Sequence, residues 1–342
     1  MGRILSRRLF VAAVFCICAV AGAKTERCDV CGGRLSRRAW TYNGRKCCSQ
    51  ACIDQLRPRC SVCGNAIRDN YHKADDKIYC GKVCFLTTLP KCEICKSPIE
   101  KGFTVTQHHY CERCMEKLPT CFSCGLPAKY PTHLKDGRDI CNSCMRWAVK
   151  DQGMAQKHYD RARRQLEAWT ALKLKTVPEL VLIDKTEMQQ RSNKLRKSDS
   201  PVSVRGLYSR QTMMTKNGLL GEWKEAPELD QEKIYIVDHL TDEVFRVAAT
   251  HELMHDLVHE YFPRLKEAPL WVHEGICQQA AAELCRRRNY ADTLHGITEC
   301  PDPDYGDGYR YINGLMGFEG WRALKRWMET VDVDALPEVA PK

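Results

Sequence analysis

Residues 241–278 read TDEVFRVAATHELMHDLVHEYFPRLKEAPLWVHEGICQ, and the fold turns on this stretch. Thr241 is a helix-capping residue type, and Asp242 and Glu243 follow where a helix N-terminus favours acidic side chains. Val244, Val247, Ala248, His251, His255 and Val258 then fall along one face at helical spacing. Four residues apart, His251 and His255 point the same way and suit one Zn²⁺, with Glu252 beside them as general base. Five-residue patterns of this kind also occur in ordinary helices, so a second feature is needed. Glu274 supplies it: it follows His255 after eighteen intervening residues and leads a helix that continues through Gln278 and Ala281. Two histidines and a carboxylate make a three-ligand site with a fourth position open, the arrangement of catalytic zinc. His273 is the competing third ligand, and Gln278 suits a partner that orients a ligating histidine.

Around this core the chain reads as α+β. Residues 154–175 predict one connecting helix with Tyr159, Ala162, Leu166, Trp169, Leu172 and Leu174 on its apolar face. Val181–Ile183, Gly206–Tyr208 and Ile234–Val237 are short strands, residues 189–203 an exposed polar loop, and residues 312–329 a last helix. Tyr305, Tyr309 and Arg310 precede that helix. They are candidates to stabilise an oxyanion, with Tyr309 assigned the role, or they only pack a turn.

The other half of the chain is ruled by cysteine. Of 22 cysteines, nineteen precede residue 145, and they repeat. Cys28/Cys31 with Cys48/Cys52, Cys60/Cys63 with Cys80/Cys84, Cys92/Cys95 with Cys111/Cys114, and Cys121/Cys124 with Cys141/Cys144 form four paired clusters, each pair separated by 15 or 16 residues. A return of that length suits a short hairpin, with Asn43-Gly44, Asp75-Asp76 and Asp136-Gly137 near the tips. The second pair then closes a four-sulfur, structural zinc site, whose binding free energy folds a unit too small to bury its own core. A disulfide framework is the rival, but sixteen cysteines in regular paired clusters favour about four structural zinc ions. Cys47 breaks the 16-residue gap and reads as a bystander, and Cys285 with Cys300 is a possible bridge.

Charge leads to the same place. Residues 24–150 hold 23 basic and 12 acidic side chains, which invites nucleic acid as a partner. Four Zn²⁺ with sixteen thiolates remove most of that excess, and regularly placed base-stacking aromatics are missing. No nucleic-acid partner is therefore expected. Arg3, Arg7 and Arg8, the apolar run Leu9–Ala19 and Ala21-Gly22-Ala23 make residues 1–23 an export signal, which predicts a periplasmic or secreted chain without a membrane span once it is cleaved. The domain reading is a signal over 1–23, four zinc modules over 24–150, a connecting helix over 151–176 and a metallopeptidase domain over 177–342.

An array of zinc modules ahead of HExxH resembles the LIM-domain peptidases related to plant organ-size regulators. The matching segments are Arg205-Gly206-Leu207, His251–His255, Glu274-Gly275-Ile276-Cys277-Gln278 and Tyr305-Gly306-Asp307-Gly308-Tyr309-Arg310. The resemblance implies a zincin-like, gluzincin-type fold preceded by treble-clef or LIM-like modules. It also implies an endopeptidase acting on proteins, with His251, His255 and Glu274 as zinc ligands and Glu252 as base. Zinc modules would then bind substrate or a protein partner, or regulate the enzyme. Six or seven residues separate the repeats here, more than the linkers inside LIM domains, and ubiquitin-interacting motifs are missing. These departures set aside ubiquitin-linked regulation and point to an exported, bacterial member. The alternative function is an adaptor whose zinc modules bind proteins while the peptidase fold is idle.

Overall fold

The computed structural model describes residues 26–105, 108–195, 205–211, 214–216, 223–225 and 231–341. The export signal read over residues 1–23 lies outside the described residues. The chain divides into two compact units, Met1–Leu89 and Pro90–Lys342.

The first unit holds two cysteine modules built alike. Strands β1 (Trp40–Tyr42) and β2 (Arg45–Cys47) pair antiparallel around Asn43-Gly44, and helix α1 (Gln50–Leu56) comes next. Both turn residues have positive φ, 46° and 76°, the conformation a two-residue hairpin loop demands. Ser49 caps α1 by accepting from Cys52 N, so the cap also fixes a cysteine of the cluster. The second module repeats this with β3 (His72–Ala74), β4 (Lys77–Tyr79) and α2 (Lys82–Leu86), its Asp75-Asp76 turn again at positive φ.

In the second unit, β5 (Gly102–Val105), β6 (His108–Cys111) and α3 (Glu112–Lys117) form a third module, and β7 (Thr132–His133), β8 (Asp139–Ile140) and α4 (Asn142–Arg146) a fourth. The rest of the unit is a mixed α/β domain. Its elements are α5 (Gln152–Thr170), β9 (Glu179–Ile183), α6 (Lys185–Leu195), β10 (Gly206–Gln211), β11 (Met214–Lys216), β12 (Trp223–Glu225), β13 (Gln231–Val237), α7 (Asp242–Tyr261), α8 (Leu270–Arg288), α9 (Ala291–Thr298), α10 (Gly308–Met316) and α11 (Trp321–Thr330). Central β13 runs parallel to β9 and antiparallel to β10, which leaves β10 at the sheet edge.

Three features differ from the sequence reading. Helix α5 does more than connect: its Ala155, Tyr159, Ala162 and Leu166 are buried in the same core as Leu253, Leu257, Trp271 and Ile276 of α7 and α8. Its Tyr159 hydroxyl donates to Pro178 O at 2.9 Å. The segment read as a loop over 189–203 is helical to Leu195, where α6 ends, and residues 196–203 lie outside the described residues. The single helix read over 312–329 is two, because Gly317 and Gly320 at φ 47° and 59° break it into α10 and α11.

The fourth module is docked on the mixed domain through specific groups. Phe122 packs into the cores of both, and buried Arg138 donates to Asp238 O at 2.6 Å and to the carboxylates of Asp136 and Asp238. Ser123 Oγ accepts from Thr241 N at 3.0 Å, which places the module against the first turn of α7. The third module also reaches the domain, where His108 lies between Glu93 at 2.9 Å and Asp292 of α9 at 3.2 Å.

Candidate metal centres and active site

Each cysteine quartet converges as the repeat spacing requires, with its four Sγ atoms within 4.8 Å of one another. The separations include 3.4 Å for Cys31–Cys48, 3.6 Å for Cys48–Cys52, 3.7 Å for Cys63–Cys80, 3.6 Å for Cys80–Cys84 and 3.7 Å for Cys95–Cys111. Four sulfurs around zinc at about 2.3 Å form a tetrahedron with edges of about 3.8 Å, whereas a disulfide would bring two sulfurs to about 2.05 Å. The quartets therefore fit structural zinc and leave no bridges: every described cysteine is free, including Cys285 and Cys300, which the sequence allowed to pair. Backbone amides turn towards the sulfurs, as Cys141 N does to Cys121 Sγ at 3.3 Å. Cys47 joins no quartet. It is buried beneath the first one, where burial pushes its thiol up.

The second constellation lies on α7 and α8. Thr241 caps α7 as expected, accepting from Val244 N at 3.3 Å. One turn of helix separates His251 from His255, and their Nε2 atoms lie 3.3 Å apart. Glu274 Oε2, from the first turns of α8, sits 3.0 Å from His251 Nε2 and 3.7 Å from His255 Nε2. Nitrogen and oxygen ligands at about 2.0–2.1 Å from a tetrahedral ion stand about 3.3 Å apart, so these three atoms have the separations of one zinc donor set. Burial alone would raise the Glu274 carboxyl, but the hydrogen bond with His251 and the nearness of His255 outweigh it and hold the carboxyl well below its usual range. His273 does not join: it belongs to none of the converging donor groups, and burial holds its imidazole below the usual range.

The sequence reading missed Cys277. It lies one turn beyond Glu274, and its Sγ comes within 4.8 Å of both histidine donor atoms. Its thiol is fully buried, and burial together with the Glu274 and Glu252 carboxylates pushes it well above the usual range. Glu274 is the better third ligand because it offers a charge that needs no deprotonation. The i, i+3 spacing was the available signal for Cys277.

Glu252 is held by the sheet edge. Its Oε2 accepts the backbone N–H of Tyr208 at 2.8 Å, and Gly206 lies so close that a Cβ there would meet Glu252 Oε1 at 2.5 Å and Cγ at 2.8 Å. Tyr208 is itself fixed: its hydroxyl donates to Asp256 Oδ1 at 3.1 Å, and its ring stacks on His255. Burial, with Glu232 and Glu260 nearby, pushes the Asp256 carboxyl up to about 8.

Of the three oxyanion candidates, Tyr305 reaches this centre and Tyr309 does not. Asp302 caps the turn Pro303–Asp307 by accepting from Asp304 N and Tyr305 N, which brings the Tyr305 ring over His251 at 6.0 Å, nearly parallel. Tyr309 is buried instead among Val247, Ala281 and Cys285, and its hydroxyl accepts from Arg286 Nη2 at 2.6 Å. The oxyanion role read for Tyr309 finds no support in this placement, because its hydroxyl is engaged by Arg286. Arg310 is committed to the carbonyls of Thr298 and Cys300 and to Asp307. The close contact that orients this segment is between backbones: a Cβ on Gly275 would meet Gly308 O at 2.6 Å.

These groups open into a cavity of about 960 Å³. Its floor includes His251, Glu252, Gln278 and Tyr305, and its opposite wall comes from the third and fourth modules, with Tyr110, Lys129 and Tyr130 among the lining residues. No protein-family model matches the chain, and no curated protein matches it.

Proposed function

We propose that the protein is a zinc-dependent endopeptidase with a zincin-like catalytic domain, exported from the cell that makes it, and that its zinc modules shape access to the site. The observation that carries this reading is the convergence of His251 Nε2, His255 Nε2 and Glu274 Oε2 beside an anchored Glu252 at the floor of a cavity. When bound by these three residues, zinc would acidify a water and polarise the scissile carbonyl. Glu252 takes a proton from the attacking water as the C–O bond forms and delivers it to the amine nitrogen as the C–N bond breaks. The Tyr208 N–H donates to the Glu252 carboxylate and fixes it in place beside the three donor atoms. Tyr305, over His251 and lining the cavity, is placed to donate to the oxyanion. The cavity has the volume of a ligand cleft.

The test is hydrolysis of casein by the full chain without its leader. Activity lost on chelation and restored by zinc is expected. A chain that holds its metals but cleaves no protein would instead be the idle adaptor. The tyrosines separate in the same assay: Tyr305→Phe lowers kcat by up to about 10²-fold, while Tyr309→Phe stays within about twofold of the parent. The reverse order would return the role to Tyr309.

A further inference from the structure

Arg205 links the fourth cysteine module to the strand that holds the general base. Its Nη2 donates to the carbonyl of Phe122 at 3.2 Å, inside the knuckle Cys121-Phe122-Ser123-Cys124. The thiols of Cys124, Cys121 and Cys144 lie near enough for their charge to act on its guanidinium. A four-thiolate zinc site carries a formal charge of −2, which a neighbouring cation stabilises where the site is partly buried. Arg138, also at this contact, is occupied by Asp136 and Asp238, whereas Arg205 reaches the knuckle itself.

The backbone carries the connection onward. Arg205 O accepts from Val237 N at 3.0 Å, and the next residue begins β10, with Gly206 opposite Ile236 and Tyr208 opposite Ile234. Gly206 is a residue at which any Cβ would collide with Glu252, and Tyr208 is the one whose N–H the Glu252 carboxylate accepts. From the sulfurs to the base there are thus three steps: knuckle to guanidinium, guanidinium to the start of an edge strand, edge strand to carboxylate. The same knuckle also holds the start of the helix bearing Glu252, through Ser123 and Thr241 N.

We propose that Arg205 is a positioning residue: it ties the metal-filled fourth module to strand β10 and thereby holds Gly206 and the Tyr208 N–H against Glu252. The kinetic part of this inference rests on the peptidase reading, whereas its structural part does not. Losing the metal of the fourth module then loosens the catalytic base, so that module is part of the active-site support.

The experiment compares Arg205→Met and Arg205→Lys with the parent, each as the full chain without its leader. Three readouts are zinc transfer to a chromogenic chelator, amide hydrogen exchange over residues 206–208, and steady-state kinetics on casein. In Arg205→Met one zinc is expected to transfer about tenfold faster while the others keep their rates, exchange over 206–208 rises, and kcat falls about tenfold at little-changed KM. Arg205→Lys, which keeps the charge but loses the planar fork, falls between the two. If Arg205→Met fails to fold, Cys124→Ser replaces it and is expected to raise exchange over 206–208 in the same way. Unchanged zinc transfer, or faster transfer with unchanged exchange over 206–208, overturns the proposal. An inactive parent overturns the peptidase reading alone, since the zinc and exchange readouts still decide the role of Arg205.

Discussion

Glu252→Gln leaves the zinc content of the chain unchanged and lowers casein hydrolysis by about 10²–10⁴-fold, the range that a positioned general base contributes. The substitution keeps the volume and one oxygen of the side chain, so the bond from Tyr208 N and the packing against Gly206 both survive. What it removes is the capacity to accept a proton at neutral pH. Zinc is retained because Glu252 is not among the three converging donor atoms, which belong to His251, His255 and Glu274. The check is metal analysis and kinetics on one preparation. Cleavage at the parent rate would remove Glu252 from the reaction.

Gly206→Ala is expected to be nearly as damaging although residue 206 carries no chemistry. A Cβ there would stand 2.5 Å from Glu252 Oε1, 2.8 Å from Cγ and 2.9 Å from Cδ, so either the carboxylate or strand β10 must shift. A displacement of about 1 Å at a reacting group costs about 10²-fold in rate, and that loss is expected in kcat with zinc retained. The global fold should be little affected, because β10 is an edge strand and its pairing with β13 uses backbone groups. Circular dichroism and metal content would confirm that before the kinetics are read. A parent-like kcat would show that Glu252 reaches its working position without the close approach of the strand.

Much of this centre is legible in the sequence because its determinants are local. A spacer of two or three residues between cysteines and a return of about sixteen residues set the geometry of a quartet almost without help from the rest of the fold, and all four quartets close as the repeat predicts. Thr241 and the helical spacing of His251 and His255 likewise need only one helix. What escaped reading depends on contacts between distant segments. Tyr305 and Tyr309 are four residues apart and look equivalent in sequence, and the choice between them is made by Asp302, Gly275 and Gly308. The apolar face of α5 announces burial without naming its partner, which proves to be the core of α7 and α8. The cavity wall supplied by the third and fourth modules has no local signature, since nothing in their spacing says which face docks on the mixed domain. Gly317 and Gly320 were visible breakers, yet the periodicity on either side joins smoothly across them.

The proposed chemistry requires that His251, His255 and Glu274 hold a metal in addition to the four cysteine quartets. The most direct measurement is the zinc-to-protein ratio of the purified chain lacking residues 1–23, beside that of Glu274→Ala. About five zinc ions per chain and about four in the variant are expected, from four quartets and one histidine–glutamate site. A ratio of about four in both would contradict the claim and leave the cysteine modules as the only metal centres of the protein.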